Sequence, residues 1–126
     1  MANLRKLVLS SGRIALAGKS AETNEKLIEQ TGKDEIVLHT KAPGSPFVNI
    51  KTTSKKTSKS DIKEAAVFCA RHSHDWRDNK QDVIVHYFLG KDVFKDKKMK
   101  LGTFGVKKFK TIKVKKEEIE KFGKER

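Results

Sequence analysis

Cysteine occurs once in these 126 residues, proline twice, and tryptophan and tyrosine once each. A lone Cys69 rules out an intramolecular disulfide and a zinc site built on several thiolates. It fits a reducing, cytoplasmic compartment. Long apolar runs are missing too: Ala65 to Ala70, the longest, has six residues, against the roughly 18 that a bilayer-spanning helix needs. No membrane partner is expected. The opening Met1-Ala2-Asn3-Leu4-Arg5-Lys6 carries neither the apolar stretch nor the small-residue cleavage site of a secretory leader, so the mature protein is expected to be the whole chain. Acidic residues are the last scarcity, 16 against 29 Lys and Arg, for a net charge of +13.

What is present suits one domain. Apolar and charged residues each make up 36% of the chain, and a chain of this length buries roughly two-thirds of its unfolded surface around one core. A single domain over 1–126, with its core at about 4–116, is the expectation. The charge is uneven. Residues 91–116 hold 11 Lys against 2 Asp, and residues 51–63 hold 5 Lys against 1 Asp. A concentrated basic surface attracts phosphate by releasing condensed counterions, which makes nucleic acid the leading partner class. The plainer alternative is a solvated, solubilising lysine face.

Along the chain, Leu4–Leu9 and Arg13–Ala17 read as strands joined at Ser10-Ser11-Gly12. A short helix follows, capped by Ser20, with Ala21, Leu27 and Ile28 on its apolar face, ending before Gly32. Glu35–His39, rich in Ile36, Val37 and Leu38, reads as a half-buried or buried strand. The loop Thr40–Pro46 holds both prolines and leads into a strand at Phe47–Ile50, with Phe47 and Asn49 on one face and Val48 and Ile50 on the other. Thr52–Ser60 has no apolar residue and reads as an exposed, mobile connection. It leads to a helix with Asp61 as an acidic cap and Ile62, Ala65, Ala66 and Cys69 as the buried stripe. Val83–Leu89 is β-type, Gly90–Gly102 is a lysine-rich excursion, Thr103–Phe109 and Thr111–Val114 are strands, and Glu117–Phe122 closes as a short helix. The predicted class is α+β: a mixed, largely antiparallel sheet with two main helices and a short C-terminal one.

Several residues invite a chemical role. Pro43-Gly44-Ser45-Pro46 makes a turn in which glycine lets a ligand approach the backbone, phosphate above all; an ordinary tight turn is the alternative. His39, just before it, is placed to donate to a phosphate or act in acid–base chemistry, or to serve as a structural hydrogen-bonding group. Cys69, His72, His74, Asp75 and Asp78 are of ligand type but poorly spaced for a metal, and Cys69 reads better as a small buried hydrophobe. Gly18-Lys19-Ser20 echoes a P-loop without its earlier glycine, so nucleotide hydrolysis is rejected. Trp76 and Arg77 follow the central helix in polar sequence, where they would stack on an unpaired base unless Trp76 joins the core. Lys95, Lys97, Lys98, Lys100, Lys107, Lys108 and Lys110 suit phosphate contact.

The order of these motifs resembles the RNA-binding domain of the NFACT family, the ribosome-quality-control and fibronectin-binding-like proteins. Ala17-Gly18-Lys19-Ser20 with Asn24-Glu25 is similar to its glycine-basic segment and following helix. Asp34–Ser45 is similar to its acidic residue, apolar strand, histidine and Pro-Gly-Ser turn. Ile62–Trp76 is like its Glu-Ala-Ala helix, and Leu101–Phe104 through Lys107-Lys108 is like its closing glycine, strand and basic turn. The resemblance spans roughly residues 7–116 and implies RNA binding. The further domains of larger members, which the resemblance links to the large ribosomal subunit, are not expected within these 126 residues.

The expectation is an RNA-binding protein that recognises tRNA or rRNA, linked to translation or ribosome-associated quality control, with the large ribosomal subunit as the candidate assembly. The expected RNA-binding residues are Lys19, Asn24, His39, Lys41, Gly44, Ser45, Lys51, Trp76, Arg77, Lys97, Lys98, Lys100, Lys107, Lys108 and Lys110, with no cofactor, no metal and no catalytic residue. The rival readings are an RNA-modification enzyme or its accessory subunit, with His39, Ser45 and Ser73 around a pocket, and an adaptor that meets the ribosome through protein.

Overall fold

The computed structural model describes residues 3–51 and 57–125. Its strands are β1 (Arg5–Val8), β2 (Ile14–Ala17), β3 (Ile36–Thr40), β4 (Val48–Ile50), β5 (Val83–Leu89), β6 (Val93–Phe94), β7 (Gly105–Val106) and β8 (Lys110–Val114). Its helices are α1 (Ala21–Glu29), α2 (Lys59–Arg71), α3 (His74–Asn79) and α4 (Lys116–Glu125). Six strands form one sheet in the order β1-β2-β4-β3-β5-β8, every pairing antiparallel, while β6 and β7 pair as a separate ribbon. This is the α+β class expected. No helix among the described residues is long and apolar enough to cross a membrane.

The two faces of the sheet carry different covers, because alternate residues of each strand point to opposite sides. Leu7, Ala15, Ala17, Leu38, Val48, Ile50, Val83, Val85 and Val114 face α2 and pack on Ala65, Ala66, Cys69 and Ala70, with Ile119 of α4 joining them. The leucine, valine and isoleucine side chains among them contribute about 1.5–3 kcal/mol each when fully buried. The opposite face is covered in part: Val37, Phe47 and Phe88 pack against Leu27 of α1, with Leu16, Ile28, Val93, Phe104 and Val106 around them. The β6–β7 ribbon and α1 thus roof one half of that face.

Three local expectations change. The cap of α2 is Ser58, not Asp61: the Ser58 hydroxyl accepts from the Asp61 amide at 3.1 Å, and the Asp61 carboxylate accepts from the Ser58 amide at 3.3 Å. Asp61 occupies the third helical position of a capping box and is freed to meet Arg13 at 2.7 Å, with 1% of its side chain exposed. A separate helix, α3, begins after Ser73, whose hydroxyl accepts from the Trp76 amide. The strand expected over Thr103–Phe109 shrinks to the two residues of β7. The expected connection at 52–60 lies mostly outside the described residues.

The lysine-rich excursion is folded back onto α1. Glu25 accepts from the Gly102 amide at 2.6 Å and from Lys95 Nζ at 3.2 Å. Lys95 also donates to the carbonyls of Lys100 and Thr103 and lies 4.6 Å from the centre of the Phe104 ring. Lys95, expected as a phosphate contact, is instead a staple. Gly102 adopts φ +78°, and a Cβ there would stand 2.6 Å from the Ala21 Cα, so only glycine permits this close approach.

Candidate functional site

The half of the second sheet face that α1 and the ribbon leave open carries the cross-strand row His39, His86 and Thr111, since His39 pairs with His86 and His86 with Thr111. Above this row lies an open cleft of about 660 Å³, walled by Lys19–Ala21, by Lys41 and Pro43–Pro46, and by Leu101–Phe104. All four histidines of the chain, His39, His72, His74 and His86, line it, together with Arg5, Lys19 and Lys41. No Asp or Glu is among its lining residues. Fixed cations without a nearby carboxylate raise the local concentration of a polyanion, and low-dielectric walls strengthen the effect.

Of the expected residues, Lys19, Asn24, His39, Lys41, Gly44 and Ser45 meet in this cleft. Three of them are occupied with structure. Asn24 Oδ1 accepts from the Phe47 amide at 3.1 Å and ties α1 to β4. Ser45 Oγ accepts from the Thr40 amide and donates to the Pro46 carbonyl. His39 Nδ1 sits 2.8 Å from the Thr40 carbonyl, which only accepts, so this nitrogen carries the proton. Burial lowers the pKa of His39, against the opposing pull of the Thr40 carbonyl, and His86 lowers it further. The ring is therefore neutral at pH 7, with Nε2 an acceptor. That polarity is wrong for the phosphate contact expected of it and right for an N–H or O–H donor.

Gly44 shapes the loop. It adopts φ +85°, its carbonyl accepts from the His74 amide at 2.7 Å, and a Cβ on it would run into the His74 imidazole. Burial also lowers the pKa of His86, with Lys41 adding to it, and burial together with Arg5 and Arg71 brings His72 down to about 4. With His39, His72 and His86 all held below the ordinary imidazole value, the formal cations lining the cleft are Arg5, Lys19 and Lys41.

Other expected residues lie elsewhere. Trp76 is 5% exposed within the α2-side core, so its indole offers no stacking face, and Lys80 Nζ sits 4.9 Å from its ring centre. Arg77 is exposed but held by Asp78 at 2.8 Å. Lys51, at the far end of β4 from the cleft, is paired with Glu35 and Gln30, each at 2.8 Å. Lys97, Lys98, Lys100, Lys107, Lys108 and Lys110 are exposed, and among the described residues none of them enters an ion pair. Lys100 adjoins the cleft wall at Leu101, and Lys107 adjoins it at Val106.

The residues named for a catalytic rival are also committed to structure. Ser73 Oγ donates to the Ala70 carbonyl while capping α3. Complete burial pushes the Cys69 thiol up to about 12, away from any thiolate chemistry at neutral pH. Sequence reading missed Arg5 and His86, which line the cleft. Both are brought there only by strand pairing, which no local sequence pattern signals.

A six-stranded antiparallel sheet with helices on both faces and an acid-free cleft on the half-open one defines a small α+β domain suited to a polyanionic ligand. The profile described as the NFACT protein RNA binding domain matches residues 5–108, and the chain belongs to that family. It is 40% identical over 73 residues to the archaeal Rqc2 homologue aRqcH of Methanocaldococcus jannaschii, a match covering 57% of this chain and 11% of that protein. The C-terminal part of the fibronectin/fibrinogen-binding protein from Streptococcus suis has the same fold, with a TM-score of 0.80 at 24% identity over 94% of this chain and 48% of that one. The chain thus spans about a tenth of the archaeal relative and about half of the streptococcal one.

Proposed function

We propose that this protein binds structured RNA, tRNA or rRNA, through the acid-free cleft and the lysines at its rim, in ribosome-associated quality control in the cytoplasm. The observation that carries the reading is the composition of the cleft: Arg5, Lys19 and Lys41 beside four histidines, with no carboxylate in its walls. The family supports RNA as the ligand class, and the archaeal Rqc2 homologue supports the link to ribosome quality control. In this reading the cations hold phosphates and set position, while His39 Nε2 accepts from a base N–H or a ribose 2′-hydroxyl, the group that separates RNA from DNA.

Gly44→Ala tests the cleft without altering a single charge. Its Cβ displaces the loop against His74, and RNA affinity is expected to fall with net charge unchanged. Gly12→Ala is the control: Gly12 has φ +92° but nothing within 4 Å of a Cβ, so it introduces comparable backbone strain without a clash. Loss of RNA binding in Gly44→Ala alone, with both variants folded by circular dichroism, supports the cleft. Equal affinities in the two variants would remove the cleft from the RNA surface.

A further inference from the structure

Phe109 is a large aromatic side chain that packing does not account for. It is 51% exposed, and neither core cluster includes it. Its ring stacks on His86 with centroids 4.1 Å apart and planes inclined by 21°. His86 belongs to the open row of the sheet face and lines the cleft, so the pair forms a step from the cleft floor to its rim. The backing is firm: His86 sits inside β5, paired on one side with His39 of β3 and on the other with Thr111 of β8. The step is also charged on its flanks. Lys108 adjoins Phe109 and is exposed, Lys41 adds to burial in depressing the His86 pKa, and Lys110, paired with Tyr87, points to the other face of the sheet.

We propose that the exposed face of Phe109, backed by His86, is a stacking platform for one unpaired nucleobase of the bound RNA. This deepens the RNA-binding reading and rests on it. A π-face offers a sequence-tolerant contact to any base, and Lys41 beside His86, with the exposed Lys108 next to Phe109, offers cations to the phosphates of the stacked nucleotide. A base inside a continuous helix has both faces covered by its neighbours, so the platform selects for a loop, bulge or free end. An aromatic face left half in water costs less once a base covers it, and the imidazole beneath holds the ring at a fixed tilt. The site accordingly adds recognition of unpaired nucleotides to the cleft, whose cations meet any phosphate.

The test compares the full chain with Phe109→Ala and Phe109→Trp, against a short oligouridylate and an RNA duplex of the same length, across a salt series. Phe109→Ala is expected to weaken oligouridylate binding by about 5- to 150-fold, the span of one base stack, with an unchanged salt slope because no charge is lost. Duplex affinity stays within about twofold, and Phe109→Trp restores oligouridylate binding because indole stacks at least as well. Phe109→Ala without effect, or with the same loss on both RNAs, would overturn the platform while leaving RNA binding intact. Wild-type protein that binds neither of these RNAs nor a folded tRNA would overturn the RNA-binding reading itself. Thermal melts of both variants separate a folding defect from a lost contact, and recovery in Phe109→Trp does so independently.

Discussion

Asp61→Ala is expected to lower folding stability by about 3–5 kcal/mol, the usual cost of breaking a buried ion pair from one side. Asp61 is 1% exposed and accepts three kinds of hydrogen bond: from Arg13 at 2.7 Å, from the Ser11 hydroxyl at 2.6 Å and from the Ser58 amide at 3.3 Å. It therefore joins the β1–β2 hairpin to the start of α2. Burial alone would raise its pKa, but the hydrogen bonds from Ser11, Ser58 and Arg13 outweigh burial and hold it below the ordinary carboxylate value. The unfolded chain binds that proton more readily, so the stability Asp61 contributes is complete above its unfolded pKa. It is lost as pH falls through the lower folded value. Urea unfolding at pH 7 checks the prediction: the midpoint of the variant falls with little change in slope. A loss under about 1 kcal/mol would show that Asp61 is not a keystone of the fold.

The second large effect concerns RNA. Substituting Lys97, Lys98, Lys107 and Lys108 by Gln together removes four exposed cations that make no ion pair among the described residues. Each phosphate contact contributes roughly 0.7 to 0.9 to the logarithmic salt slope. Four lost contacts therefore flatten that slope by about 3 and weaken binding at physiological salt on the order of several hundredfold. Lys95 is left in place because it staples the excursion to Glu25 and to two backbone carbonyls. A slope that stays the same in the fourfold variant would show that these lysines do not touch the phosphate backbone.

How much of this was legible in the sequence depends on the range of the interactions involved. The Ser10-Ser11-Gly12 turn, the Ala65-Ala66-Cys69 stripe and the two faces of Phe47–Ile50 are local patterns, and the structure follows them. Asp61 looked like a cap because an acidic residue stood before an apolar period. Its real partner, Arg13, lies 48 residues away, and no local pattern encodes such a distance. Trp76 stood in polar sequence, yet the cap at Ser73 turns α3 so that the indole enters the core. The basic excursion was visible as charge, while its anchoring through Glu25 was not. The cleft was half visible: the Lys19 and Lys41–Ser45 segments stood out, but Arg5 and His86 reach it only through strand pairing and chain return.

A salt-titrated comparison of folded tRNA, a length-matched single-stranded RNA and a DNA duplex tests the RNA-binding account most directly. A folded RNA presents closely spaced phosphates together with unpaired bases and 2′-hydroxyls, and the cleft and its rim offer a partner for each. Binding to tRNA about tenfold or more tighter than to the DNA duplex at near-physiological salt is the predicted result. Equal affinities for all three, falling together as salt rises, would contradict it and reduce the surface to a general polyanion contact.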